Sequence, residues 1–180
     1  HRVAVTDGLR VWKSNMFIKP LCGFSHGASG IAAALLRLHA RTGDPMWLAA
    51  AQEALAYERN CFHSECGCWP DLRCKDNSEG KGLIDAWCHG AAGIGLARLE
   101  ALRHAPENKL ETAIYQSYRD ELKTAVSLVR NTRWSGVTDT VCCGNMGRLE
   151  LLLAVKQYLK PGSGCSAFAH LSQAIEQRTE

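Results

Sequence analysis

Three short segments carry the side chains that can do chemistry in this chain. Phe24-Ser25-His26-Gly27-Ala28-Ser29-Gly30-Ile31, Trp87-Cys88-His89-Gly90-Ala91-Ala92-Gly93-Ile94 and Val141-Cys142-Cys143-Gly144-Asn145-Met146-Gly147-Arg148 share one frame. Each sets a metal- or proton-handling side chain before a glycine, then two residues, then a second glycine, and each leads into an apolar run at helical spacing. One or two positions before the first glycine stand His26, Cys88 and Cys143, with Cys142 beside the last. Zinc takes cysteine sulfur and histidine nitrogen, and a set of three protein ligands leaves one coordination position open, as catalytic zinc requires. The frame predicts that the three turns converge, with Cys88, Cys142 and Cys143 on one zinc ion and His26 facing it. An imidazole with an unperturbed pKa of about 6.5 suits proton transfer at such a place. Small residues opening each helix should leave N–H groups free, and the positive helix end should then lower the pKa of Cys88 and Cys143.

Each of these residues also has a plainer reading. A single cysteine before a glycine is a small packing residue; three in a recurring frame are better explained as ligands. His26 has a capping or core role as its alternative. His89 adjoins a ligand and reads as a support or rim residue, with replacement of that ligand as the lesser alternative. Cys61, Cys66, Cys68 and Cys74 lack the paired C-x2-C spacing of common structural zinc sites and read as loop thiols. Cys22 and Cys165 read as packing residues. Asp71 and Arg73 either line a substrate groove or form a local ion pair.

The elements that must position the turns are helical. Ile31, Leu35 and Leu38 recur at helix spacing after Gly30, and Gly43 can end that run. Asp44-Pro45 reads as the N-cap and first residue of a second helix, with Trp47, Leu48, Ala51 and Leu55 on one face. A loop rich in Cys, Gly, Asp and Ser spans about 60–82. Gly93 opens the next helix, with Ile94, Ala97 and Ala101 or Leu102 inward, to about Pro106. Its partner carries the stripe Leu110, Ile114, Tyr118, Leu122, Val126 and Val129. The third turn leads into Leu149, Leu152, Val155 and Leu159, and a last helix starts near Ser166. Residues 1–21 show no clear element, and no period-2 strand is evident.

The first glycines recur at an interval of roughly 60 residues, which fits a helical hairpin plus a long loop and an array of such pairs. Three pairs leave two open ends, so the expected fold is all-α: a partial α/α toroid, truncated at both ends, over residues 1–180. The chain begins at His1 and reads as a piece of something longer.

Bulk properties exclude several classes. The 180 residues allow one ordinary core, 46% hydrophobic and 22% charged content suit a globular domain, and the net charge of +3 is scattered, which leaves nucleic-acid binding without support. No apolar run approaches the ~18 residues of a transmembrane helix. Nine cysteines, an odd number, with no signal-peptide layout, point to reduced thiols and a cytoplasmic location.

The three turns resemble those of the lanthionine synthetase C-like (LanC-like) cyclases, and most closely the cyclase half of the bifunctional class II lanthipeptide synthetases. Ser25-His26-Gly27-Ala28-Ser29-Gly30, Trp87-Cys88-His89-Gly90 and Cys142-Cys143-Gly144 stand in that family's order, and Trp69-Pro70-Asp71-Leu72-Arg73 looks like its lead-in to the second turn. The doubled cysteine points to the bifunctional class. The resemblance implies a double ring of helices with one zinc at its mouth and a dehydrated precursor peptide as substrate. It also implies a dehydratase domain upstream in the whole protein, and addition of a peptide cysteine to dehydroalanine or dehydrobutyrine to form a thioether ring. His26 would protonate the α-carbon. The chain departs from stand-alone members at Ile84, where those carry an arginine, and it has no match for an aspartate that the family supplies from an earlier repeat. Two rival functions stand beside this one: addition of glutathione or another small thiol to dehydroamino acids, and a helical-repeat binding module whose cysteines are only packed.

Overall fold

The computed structural model describes residues 2–4, 8–13, 19–73, 85–105, 110–132 and 138–159. Its elements are strands β1 (Arg2–Ala4) and β2 (Arg10–Trp12) and helices α1 (Ala28–Thr42), α2 (Pro45–Asn60), α3 (Ala91–His104), α4 (Thr112–Asn131) and α5 (Asn145–Tyr158). Helices α1 and α2 pack as one hairpin and α3 and α4 as the next, while α3 also lies against α1 and α5. The result is an inner row α1–α3–α5 backed by α2 and α4, the helical-pair array that the repeat interval predicts. Ser166 onward and Cys165 lie outside the described residues.

Local chemistry sets most of the boundaries. Asp44 caps α2, its carboxylate accepting the Met46 N–H at 2.8 Å with Pro45 in the first turn. Gly43 ends α1 in the left-handed region at φ 72°, donating its N–H to His39 O at 2.8 Å. Helix α4 buries Tyr118, Leu122, Val126 and Val129 of the predicted stripe, with Ala125 added, while Ile114 is partly buried and Leu110 precedes the helix. Helix α3 is the centre of the array: every residue from Ala91 to Leu102 is buried, so no single stripe describes it.

Two expectations need correction. The helix that Ile31, Leu35 and Leu38 mark is present, but its buried face is Ala28, Ser29, Ala32, Ala33, Leu36 and His39; Leu35 packs at its edge and Leu38 is exposed. Alanines occupy that face because α1 lies against both α2 and α3, and small side chains permit close approach. The N-terminal region contains a β-hairpin, with Arg2 opposite Trp12 and Ala4 opposite Arg10, whose three-residue strands are too short to show an alternating pattern. Val11 is buried and β2 packs on α2.

Candidate metal centre

The three turns sit side by side at the start of the inner helices, and equivalent positions make equivalent contacts. Gly27, Gly90 and Gly144 are the N-caps of α1, α3 and α5, all in extended backbone without a side-chain cap. The three second glycines are sterically required. A Cβ would meet Phe24 O at 1.9 Å from Gly30, Trp87 O at 2.0 Å from Gly93 and Val141 O at 2.1 Å from Gly147. A Cβ on Gly93 would also lie 2.7 Å from Phe24 Cβ, and one on Gly147 2.7 Å from Trp87 Cβ. Each second glycine thus makes room for its own turn, and Gly93 and Gly147 also for the preceding turn's aromatic residue. The Phe24 and Trp87 rings follow suit, with centroids 5.1 Å apart.

Backbone hydrogen bonds fix the register between turns. Ser25 N–H donates to Cys88 O at 3.0 Å, and Cys88 N–H donates to Cys142 O at 3.1 Å. Ser25, Cys88 and Cys142 are therefore equivalents, two before the glycine, and His26, His89 and Cys143 are equivalents directly before it. The His26 and His89 rings stack at 6.0 Å between centroids, 28° apart in plane. A further clamp joins the second and third turns: Arg148 donates to Asp85 Oδ1 at 2.7 Å and to Asn145 Oδ1 at 3.0 Å.

This register brings the predicted thiols together. One ligand atom from each of Cys88, Cys142 and Cys143 lies within 4.8 Å of the others. Cys143 Sγ is 3.4 Å from Cys88 Sγ and 3.4 Å from Cys142 Sγ. Cys88 is buried, at 3% exposure, whereas Cys142, Cys143 and His26 are exposed. The sulfurs therefore form a rim site with one side open to solvent.

The electrostatics differ from the expectation of helix-stabilised thiolates. Burial, with the adjacent Cys143 and Cys142 thiols, pushes the Cys88 thiol up to about 12. Near the start of each inner helix an upstream carbonyl also takes one backbone amide. Ala28 N–H donates to Leu21 O at 2.9 Å, Ala92 N–H to Asp85 O at 3.1 Å and Asn145 N–H to Thr138 O at 2.9 Å. The neighbouring thiols oppose ionisation of Cys88, and a divalent cation removes that conflict by binding sulfurs as thiolates. The donor set thus fits zinc on its own chemistry.

Behind the sulfurs, Asp71 is buried and holds Arg73 through both carboxylate oxygens, with Arg73 Nη2 at 2.6 Å from Oδ2. Burial alone would raise the Asp71 carboxyl; the Arg73 hydrogen bonds outweigh it and hold the group below the usual range. Both readings of this pair persist, because the ion pair is real and Arg73 also feels the charge of Cys88 and Cys143. Burial depresses the His89 imidazole, and the Arg73 charge adds to that. His89 lies against the backbone of the first turn, not among the three converging ligands. Among the described residues Cys61, Cys66 and Cys68 do not converge on a metal position; Cys22 is buried. Cys74 and Ile84 lie outside the described residues.

Comparison with known proteins accords with this geometry. The sequence profile of the lanthionine synthetase C-like protein family matches residues 6–163. The chain belongs to that family. A solved structure of nisin cyclase superposes with a TM-score of 0.60 at 20% sequence identity, over 88% of this chain and 41% of that one. The likeness shows the LanC-like all-α toroid fold, of which this chain spans less than half the length of nisin cyclase. No curated protein sequence matches the chain.

Two features of the site escaped the sequence. One is the pairing of His26 with His89, which strict alignment on Gly27 and Gly90 would have found. The other is Gly23, at φ 94°, packed where a Cβ would be 2.4 Å from His89 Cα; no frame in the sequence singles it out.

Proposed function

We propose that this chain is part of a zinc-dependent thioether-forming cyclase of the class II lanthipeptide synthetase type, acting on a dehydrated precursor peptide. The observation that carries the reading is the convergence of Cys88, Cys142 and Cys143 from two turns at an open rim, with the exposed His26 on the neighbouring turn. Cys88, Cys142 and Cys143 would hold the metal, and the open side would admit a peptide thiol. Zinc, when bound, supplies a Lewis acid that keeps such a thiol ionised near neutral pH.

The chain's own residues account for the rest. The sulfur electron pair forms the C–S bond at the β-carbon of the dehydro residue, the alkene pair moves toward the carbonyl as an enolate, and the α-carbon takes one proton. The thiol proton leaves to solvent, so the product is an isomeric sum of the two reacting groups. His26 is the proton donor to the α-carbon, and its ring is oriented by stacking on His89. The buried Asp71 fixes Arg73 beside the site, where the guanidinium offsets the negative charge of the thiolates.

Zinc content of the purified chain, beside a Cys142→Ala, Cys143→Ala variant, tests the site. About one zinc per chain, lost in the variant, is expected, and an alkylation-resistant thioether of unchanged mass is the product to assay when zinc-loaded chain meets a dehydrated peptide. Zinc that survives the double substitution sinks the assignment, and product formation from glutathione in place of the peptide thiol would favour the small-thiol rival.

A further inference from the structure

A line of charged residues crosses the core away from the sulfurs, and the proposed reaction does not use it. Arg59 of α2 bonds Glu121 of α4 and the Ser117 hydroxyl. Glu121 Oε2 accepts from Arg98 Nε at 2.5 Å, and Arg98 Nη1 donates to Glu58 Oε2 at 2.5 Å. The Arg98 and Glu58 side chains have no exposed surface. Stability does not explain such a pair, since an apolar pair of similar volume often serves a core as well or better.

The line ends on the first turn. Glu58 Oε1 accepts the Gly23 N–H at 2.7 Å, and Oε2 also accepts the Ser29 hydroxyl at 2.5 Å. Gly23 is in the left-handed region at φ 94°, and its α-carbon faces the second turn so closely that a Cβ would be 2.4 Å from His89 Cα and 2.6 Å from Cys88 O. Two residues later Ser25 N–H bonds Cys88 O, and His26 follows.

We propose that Glu58, held by Arg98, is a positioning residue: its carboxylate pins the Gly23 amide and thereby sets the first turn, with His26, against the second turn and its cysteine. The catalytic consequence rests on the function proposed above; the positional part does not.

The test replaces both charges, Glu58→Met with Arg98→Met, and leaves Arg59 paired with Glu121. Exchange of the Gly23 amide with deuterated water should become about 10- to 100-fold faster, as expected for a buried donor that loses its acceptor. Thioether formation on a dehydrated peptide should lose about 10-fold or more in kcat, with KM and zinc content unchanged. Glu58→Gln with Arg98→Met keeps an acceptor oxygen for Gly23 and should recover both readouts. Unchanged Gly23 exchange in the Met/Met protein overturns the proposal, as does faster exchange with unchanged kcat. Should the Met/Met protein not fold, Ser29→Ala removes one hydrogen bond that orients Glu58 and should speed the same amide by a smaller factor; no change there overturns the proposal equally. A folded wild-type chain that binds no zinc refutes the function, and the amide exchange then decides the position of Glu58 separately.

Discussion

Alanine at Gly147 should harm the metal site more than the fold. An ideal Cβ there would lie 2.1 Å from Val141 O and 2.7 Å from Trp87 Cβ. Carbon and oxygen tolerate no approach below about 3 Å, so the carbonyl must withdraw by roughly 1 Å, and close-packed interiors pass such a shift on to their neighbours. Val141 directly precedes Cys142 and Cys143, and Cys142 O accepts the Cys88 N–H. The withdrawal therefore pulls two sulfurs away from the third. Metal sites tolerate deviations of only about 0.2 Å in ligand distance. Overpacking costs about 1–3 kcal/mol, and alanine returns about 1 kcal/mol of helix propensity, so the net loss of apo stability should be no more than about 2 kcal/mol. Zinc affinity should fall by about 10- to 100-fold, the range seen when the supports of a metal site are disturbed. Gly95→Ala is the control, a buried helical glycine whose Cβ would meet the Leu151 methyls at 2.9 Å and Ala125 Cβ at 3.0 Å. The Leu151 methyls can turn aside and Ala125 need give by only a few tenths of an ångström, so its stability should stay within about 1 kcal/mol and its zinc affinity should not change. Chelator competition gives the affinities, and thermal unfolding without metal gives the stabilities. Wild-type zinc affinity in Gly147→Ala, or an equal loss in Gly95→Ala, would refute the reasoning.

Three further outcomes are expected. Arg148→Met leaves the half-buried Asp85 without its cation and should cost about 1–2 kcal/mol, seen as a lower Tm that Asp85→Asn in the same background partly restores. The Asp71 carboxyl is held below its ordinary range by Arg73. Its contribution to stability is therefore complete above the unfolded pKa of about 3.9 and lost as pH falls through the lower folded value. Denaturant titrations of wild type and Asp71→Asn should give a constant difference near neutrality that shrinks only in acid; a difference that already fades above pH ~5 contradicts this. Finally, a hydrogen bond from Cys22 lowers the half-buried Cys61 thiol, whereas burial raises that of Cys68. Iodoacetamide at neutral pH should label Cys61 faster than Cys68, and peptide mapping of a short reaction would show the reverse order if this is mistaken.

Much of the positioning frame is local and was legible in residue order. Gly43 and Asp44-Pro45 act within one turn of backbone, so their roles follow from φ and from capping geometry alone. The three glycine frames are similarly local, and their recurrence marks the helical-pair array together with the three cysteines. The hairpin Arg2–Trp12 was illegible because its strands are short, and the buried face of α1 because the faces of a helix between two neighbours depend on where those neighbours lie.

The sequence by itself determined that there are three equivalent turns, that each opens a helix, and that cysteine and histidine stand in them. Those facts need only residue type and spacing. Tertiary structure alone decided the register in which the turns hydrogen-bond, which sets Cys88 against Cys142 and stacks His26 on His89. It also decided that Cys88 is buried against the Cys143 and Cys142 thiols, so that its pKa is raised and not lowered, and that the Glu58 carboxylate in α2 ends on Gly23. Each of these joins groups far apart in the chain, where a pKa or a hydrogen bond depends on distance and burial and not on order along the backbone.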